Sequence, residues 1–260
     1  MAFGSSDKNW EKFGRSDPYF GVITDGRFKH GRMTDESKTE FFETGECHIE
    51  HVLRIVDAHV MAGRKIERAL DFGCGVGRLV IPLTKIAKEV TGVDISEGML
   101  SEARRNCAGL EIGNVSFVRS DDELSLVTGR YDFVHSFIVL QHIPVSRGLR
   151  ILKSMLRVLT DDGIGVLHFT YGKATFRRKS LAFLERYVPL SGGIINLARK
   201  RVFFAPRMQM NAYDMNAVFR ILQMQGVREY HAEFTDHGGE LGVILYFVKA
   251  SSSTRGMSLQ

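Results

Sequence analysis

Ala69-Leu70-Asp71-Phe72-Gly73-Cys74-Gly75-Val76-Gly77-Arg78-Leu79 runs from a hydrophobic strand through a glycine turn into a helix. Val90-Thr91-Gly92-Val93-Asp94 follows as a second strand with an acid at its tip. Glycines let the backbone take positive φ and approach a ligand closely. The helix that follows begins with unpaired N–H groups aimed at the same place. An acid at the tip of the next strand is placed to hold a ribose diol. The stretch therefore describes a nucleoside-bearing ligand lying across the carboxyl ends of two parallel strands.

Around this stretch the chain is ordinary. It has 260 residues, 44% hydrophobic and 25% charged, which suits one large globular domain with accessory segments. Its three cysteines, Cys47, Cys74 and Cys107, are widely spaced and form no C-x-x-C. That spacing suggests a reducing compartment rather than a disulfide framework or zinc site. No N-terminal apolar region is seen, and no apolar run approaches the roughly 18 residues of a membrane span. A cytoplasmic protein is expected. The Ser-rich tail, 250–260, is expected to be disordered.

Residues 1–39 read as polar and irregular, and apolar residues recur at helical spacing from Glu40 to about Ala62. Strand-like runs follow at Ile66–Phe72, Glu89–Asp94, Val115–Arg119, Tyr131–Phe137 and Gly163–Phe169, with helical runs at Arg78–Lys88, Glu97–Cys107 and Pro144–Leu159 between them. Ser96 is a plausible N-cap and Pro144 a plausible first helical residue. A helix from about Ala212 to Gln225 precedes two last strands, Val227–Phe234 and Leu241–Val248, whose short connection predicts antiparallel pairing. The expected fold is α/β: a Rossmann-like, seven-stranded, mostly parallel sheet with helices on both faces and the last strand antiparallel. The expected organisation is an N-terminal lid or helical segment (1–62), a core (63–172 and 211–249), an acceptor-side insertion (173–210) and the tail.

The dinucleotide fingerprint is G-x-G-x-x-G. Here Gly73, Gly75 and Gly77 give G-x-G-x-G, and Arg78 stands where the last glycine is needed. Asp71 is a poor neighbour for a pyrophosphate and suits a cationic ligand. The run, with Asp94 17 residues beyond Gly77, closely resembles the S-adenosylmethionine-binding motif of the class I methyltransferases. Further segments resemble that family in order: Gly92–Ser96 with Met99, Phe117–Asp121, Tyr131–Phe137 continuing to Ile143, and Leu159–Gly163 before the fifth strand. The last has Thr160, Asp161 and Asp162 where the family often has Lys, Pro and Gly. The resemblance implies S-adenosyl-L-methionine as cofactor, held by Asp71, Gly73, Gly75, Gly77, Asp94, Ile95, Met99, Asp121 and Ser136. Asp94 would take the ribose hydroxyls and Asp121 the adenine amino group, with Asp122 the neighbouring alternative. A dinucleotide-dependent oxidoreductase and a non-catalytic nucleoside-binding module are the competing readings.

The acceptor is less legible. His142, after the fourth strand, is the candidate general base, since its ordinary pKa near 6.5 suits proton abstraction near neutrality; a structural turn is the plainer reading. Tyr19 and Phe20 are candidates for an acceptor-side lid. Cys47, His48 and His51 look like metal ligands only superficially; His48 and His51 read as a solvated helix face, and no metal is expected. The fourth strand lacks the [DN]-P-P-[YF] sequence that in this family accompanies methylation of base or amide nitrogens, and lacks the acid of its metal-dependent catechol-type members, so the resemblance implies a small-molecule oxygen, carbon or amine acceptor. Between Lys173 and Arg207 nine Lys or Arg stand against one acid, Glu185, although the whole chain carries only +5. This insertion reads as a solvated helical cap, as a lid whose Arg177 and Arg178 meet an anionic acceptor, or as an interfacial helix reaching a lipid-linked acceptor. Peripheral membrane contact is therefore possible, and nucleic acid is a minority reading. The oligomeric state is not legible.

Overall fold

A computed structural model describes residues 6–119, 121–174 and 208–251. Seven strands form one sheet: β1 (Ile66–Phe72), β2 (Ala87–Asp94), β3 (Val115–Arg119), β4 (Tyr131–Ser136), β5 (Leu159–Lys173), β6 (Val227–Asp236) and β7 (Glu240–Lys249). Their order is β3-β2-β1-β4-β5-β7-β6. The first five are mutually parallel, and β7 runs antiparallel to both β5 and β6. Chain order reverses between β1 and β4, so a crevice opens at their carboxyl ends.

Alternating side chains give the sheet two apolar faces. Leu70, Phe72, Val134, Leu167, Phe169, Leu245 and Phe247 pack on one face. They meet Ile151, Leu152, Met155 and Leu156 of α6 (Val145–Val158) and Val218 and Leu222 of α7 (Met215–Met224). Ala69, Val90, Phe133, Ile164, Val166 and Tyr246 pack on the other. There the partners are Ile49, Val52 and Val56 of α3 (Asp35–His59), Val80 and Leu83 of α4 (Val80–Thr84) and Leu100 of α5 (Glu97–Gly109). Asp71 and His135 alternate onto this second face, paired in register across β1 and β4.

Several boundaries differ from the sequence reading. Residues 1–39 are not irregular throughout: α1 (Ser6–Ser16), α2 (Pro18–Val22) and a 3-10 turn at Gly26–Phe28 form there. α3 begins at Asp35 rather than Glu40, because Thr34 and Ser37 cap each other's backbone N–H. α4 is one short piece, and β2 starts already at Ala87. Ser96 caps α5 as expected, accepting from the Met99 N–H, whereas Pro144 stands just before α6.

The N-terminal elements bring their own core. Phe13, Tyr19, Phe28, Phe41, Val76 and Met99 cluster over the carboxyl edge of the sheet. Phe41 is fully buried and meets Tyr19, Phe28 and Phe42 edge-on. Phe41→Ala should therefore destabilise the protein by roughly 3–5 kcal/mol, read as a lower urea midpoint at unchanged m-value.

Candidate functional site

β1 ends at Phe72 and the glycine turn folds back on β2. The N–H groups of Gly73 and Cys74 both donate to the Val93 carbonyl, at 2.7 and 3.0 Å. The Gly75 N–H donates to Asp94 Oδ2 at 3.0 Å, and the Ser96 N–H to Asp94 Oδ1 at 2.9 Å. Asp94 thus joins the turn to the start of α5. Burial nevertheless pushes its carboxyl up to about 6, against the pull of these donors. Gly73 and Gly75 have φ of +77° and +53°. A Cβ on Gly73 would lie 2.3 Å from Val139 Cγ2, and one on Gly75 2.7 Å from Val22 Cγ2. Only glycine fits at either position.

Beside the turn lies a cavity of about 420 Å³. It is bordered by Asp71, Gly73, Gly75, Arg78, Asp94, Ile95, Met99, Asp121 and Asp122. The rest of its wall is mostly apolar: Trp10, Val22, Ile23, Phe137, Ile138, Val139, Ile143, Met208 and Met210, with Gln141, His142 and His237. Ile138 sits at φ +58°, a costly conformation for a β-branched residue, where β4 gives way to the cavity wall.

Asp71 is 2% exposed. Its Oδ1 lies 2.8 Å from His135 Nδ1, and its Oδ2 has no hydrogen-bond partner among the described residues. His135 Nε2 in turn lies 3.2 Å from His48 Nε2, and the His48 ring packs on Phe137. Burial pushes His48 down to about 2, so it is neutral. Asp71 borders the cavity, and a buried carboxylate oxygen without a donor among the described residues is suited to a cation or an N–H donor. Together with the two glycine positions that a Cβ would fill, this fits the adenosyl sulfonium cofactor that the motif implies.

His142 ends a 3-10 turn, Leu140–His142. The Tyr213 hydroxyl lies 2.9 Å from the Leu140 carbonyl and 3.2 Å from that of Ile143, bracing the turn. His142 Nδ1 is 2.8 Å from the Gln209 carbonyl, which can only accept, so Nδ1 carries the hydrogen and Nε2 presents a lone pair. Gln141 Nε2 lies 3.3 Å from that lone pair, and Thr170 Oγ1 donates to Gln141 Oε1 at 2.5 Å. Burial pushes His142 down to about 4.

α1 borders the cavity through Ser6, Asp7 and Trp10 and is fastened at two places. At one end Ser6 Oγ donates to the His142 carbonyl at 2.9 Å, and Arg147 of α6 bridges Asp7 and Asp122. At the other, Glu11 Oε2 accepts from Ser96 Oγ at 3.0 Å and from the Gly98 N–H at 3.3 Å.

The structure brings Asp71, Gly73, Gly75, Asp94, Ile95, Met99, Asp121 and His142 to one cavity. Four other expected residues stand elsewhere. Ser136 Oγ donates to the Phe72 carbonyl at 3.0 Å and ties β4 to β1 behind the wall. Gly77, at φ +88°, turns the chain towards α4. Tyr19 is buried against α5, its hydroxyl 2.6 Å from Glu102 Oε1, and Phe20 packs in the N-terminal cluster under Lys29. Neither borders the cavity; the neighbouring Val22, Ile23 and Trp10 do. Arg177 and Arg178 lie outside the described residues. His48 and His51 diverge, His48 to His135 and His51 to Glu233 at 2.9 Å, so His48 does not sit on a solvated face as expected.

A family profile described as a methyltransferase domain matches residues 69–163. The demethylmenaquinone methyltransferase of Staphylococcus aureus strain JH9 is 38% identical over 172 residues, covering 64% of this chain and 70% of that protein. Among solved structures, magnesium protoporphyrin IX methyltransferase from Synechocystis PCC 6803, with bound S-adenosylhomocysteine, superposes with a TM-score of 0.62 at 21% identity, covering 92% of this chain and 98% of the other. The N-methyltransferase NodS from Bradyrhizobium japonicum WM9 gives 0.60 at 14% identity, covering 95% and 100%. Both structures share the fold.

The fastening of α1 is directly testable. Arg147→Ala removes the bridge to Asp7, which should speed amide hydrogen exchange across residues 6–16 by roughly five- to thirty-fold while leaving β1 and β4 unchanged. Unaltered exchange in α1 would show that Ser6 and Glu11 hold it alone.

Proposed function

The chain belongs to the class I S-adenosylmethionine-dependent methyltransferases, and from that membership we propose that it methylates a small acceptor with a largely apolar body. The observation that carries this reading is one cavity whose wall is part polar and part apolar. The glycine turn, Asp71 and Asp94 supply polar groups, and Trp10, Phe137, Met208 and Met210 supply apolar surface. Bound S-adenosylmethionine would supply an electrophilic methyl on sulfur.

The chain's own residues divide the remaining work. Asp94 accepts from the ribose hydroxyls, and Ile95 and Met99 flank the adenine. Asp121, whose oxygens accept from the Ser125 N–H and hydroxyl, reaches the adenine amino group; Asp122, held by Arg147 and Arg150, is the neighbouring alternative. Asp71 turns its second oxygen towards cationic charge. His142 Nε2 receives the acceptor's proton where the attacking atom arrives protonated, with Gln141 moving aside. Residues 1–62 supply the lid through α1 and α2. The segment 173–210 serves the acceptor side: Met208 and Met210 border the cavity, and the Gln209 carbonyl bonds to His142.

The described wall carries Asp7, Asp71, Asp94, Asp121 and Asp122 against Arg78 and Arg147, which favours an acceptor uncharged at its buried end. An anionic portion would have to meet Arg177 and Arg178. The Staphylococcus relative is named for demethylmenaquinone, and an aromatic, lipid-linked acceptor of that kind suits the apolar wall. Such an acceptor would be met at a membrane surface; no helix among the described residues is long and apolar enough to cross one.

Asp94→Ala should weaken S-adenosylhomocysteine binding by roughly 2–4 kcal/mol in titration calorimetry. The pH dependence has a definite sign. With the carboxyl held up to about 6, hydroxyl donors favour its ionised form. Affinity should therefore rise with pH through about 6 and level off above, with proton release on binding below that point. Asp94→Asn should flatten this profile, and a flat wild-type profile between pH 5 and 7.5 would remove Asp94 from the ribose.

His142, pushed down to about 4, is neutral throughout the range pH 5–8. His142→Ala should lower kcat by roughly 10²-fold or more without changing S-adenosylhomocysteine affinity, and the wild-type rate should show no histidine inflection in that range. Equal kcat in the variant would show that the acceptor needs no base.

A further inference from the structure

We propose that Arg78 reads the carboxylate at the amino-acid end of S-adenosylmethionine, and that Thr44 of α3 positions it to do so. The proposal rests on the cofactor reading above and assigns a residue that the glycine motif does not.

Arg78 stands at the first residue after the glycine turn, is only 9% exposed, and borders the same cavity as Asp71. A buried guanidinium ordinarily meets a carboxylate, because an uncompensated buried charge is costly. Among the described residues this one forms no ion pair with a carboxylate. Its hydrogen-bond partner there is a neutral hydroxyl, Thr44 Oγ1, at 3.2 Å from Nη1, and its Nε has none among them. Asp71 Oδ2 likewise has no hydrogen-bond partner among the described residues, its Oδ1 being held by His135, and Asp71 reaches Arg78 through charge alone, without an ion pair. One cavity is therefore bordered by a half-satisfied buried anion and an under-satisfied buried cation.

A ligand that completes both must carry a cation and an anion a few bonds apart. A pyrophosphate completes Arg78 and is repelled by Asp71. A plain amine does the reverse. An α-amino acid supplies both: ammonium hydrogens for Asp71 Oδ2, and a planar carboxylate for the guanidinium fork. That is the chemistry at the methionine end of the cofactor.

α3 is shaped to hold Arg78. Thr44 Oγ1 donates to the Phe41 carbonyl at 2.7 Å, which leaves its lone pairs for Arg78. The next residue is Gly45, where a Cβ would lie 2.3 Å from the Arg78 carbonyl oxygen. The helix backbone thus lies directly on Arg78. Two consecutive residues of the N-terminal segment serve one side chain of the glycine turn, so that segment shapes cofactor recognition as well as covering the cavity.

The test is titration calorimetry on the full chain at pH 7.5 with three ligands. These are S-adenosylhomocysteine, its decarboxylated analogue S-adenosyl-3-thiopropylamine, and methylthioadenosine, which lacks the amino-acid end. Wild type should prefer S-adenosylhomocysteine to the decarboxylated analogue by about tenfold or more. In Arg78→Met that preference should fall to within about threefold, with methylthioadenosine affinity unchanged to the same tolerance. Thr44→Val, which leaves the charge in place, should give an intermediate preference. Equal wild-type affinity for the first two ligands would overturn the proposal without recourse to any variant. So would an undiminished preference in Arg78→Met. If wild type bound none of the three, the cofactor reading itself would fall, and this proposal with it.

Discussion

The site depends on how the end of β2 holds the glycine turn. The Val93 carbonyl takes two N–H groups of the turn, and the carboxylate one residue later takes a third together with the first N–H before α5. These bonds join three segments that no regular ladder connects at that point. They also place Asp94 where burial works against its charge. Burial makes that carboxylate costly, and on the cofactor reading proposed above a diol's hydroxyl donors would relieve it.

The other determinant is steric. Val139, from the segment after β4, and Val22, from α2, come so near the turn that neither Gly73 nor Gly75 could carry a side chain. The walls around the turn are thus supplied by segments far apart in sequence. α1 completes them by bonding to the ends of both α5 and α6. A core sheet that hosts many chemistries is specialised here by what closes over it.

The sheet was legible because hydrophobic alternation, glycine spacing and the acid at Asp94 are local signals that agree with one another. Ser96 was legible as a cap for the same reason. α1 and α2 were not. They are short and stabilised by contact, as at Gly14, where a Cβ would lie 2.3 Å from Ser96 Oγ; nothing in their own composition reports that contact. Thr34 and Ser37 did carry a readable start signal for α3, ahead of the apolar period that begins at Glu40. The site divides in the same way. Asp71 and Asp94 stand at fixed offsets from the glycines and were legible. Tyr19 was chosen for its ring, but the helix turns it towards Glu102 and Asn106, while Val22 and Ile23 face the cavity. Helical spacing put His48 on one face of α3 without saying what that face meets. Its partner His135 lies 87 positions away and comes into reach only through the sheet.

Ile138 has one more consequence. Its positive φ stores backbone strain of order 1–3 kcal/mol, and the rest of the fold must outweigh that strain. A residue at ease in the left-handed region, such as Asn, would release it and raise heat resistance. It would also remove an apolar side chain from the cavity wall and let the end of β4 relax. Thermal robustness and acceptor discrimination are therefore opposed at this position. Selection for heat tolerance alone would erode the wall first where the backbone is least comfortable.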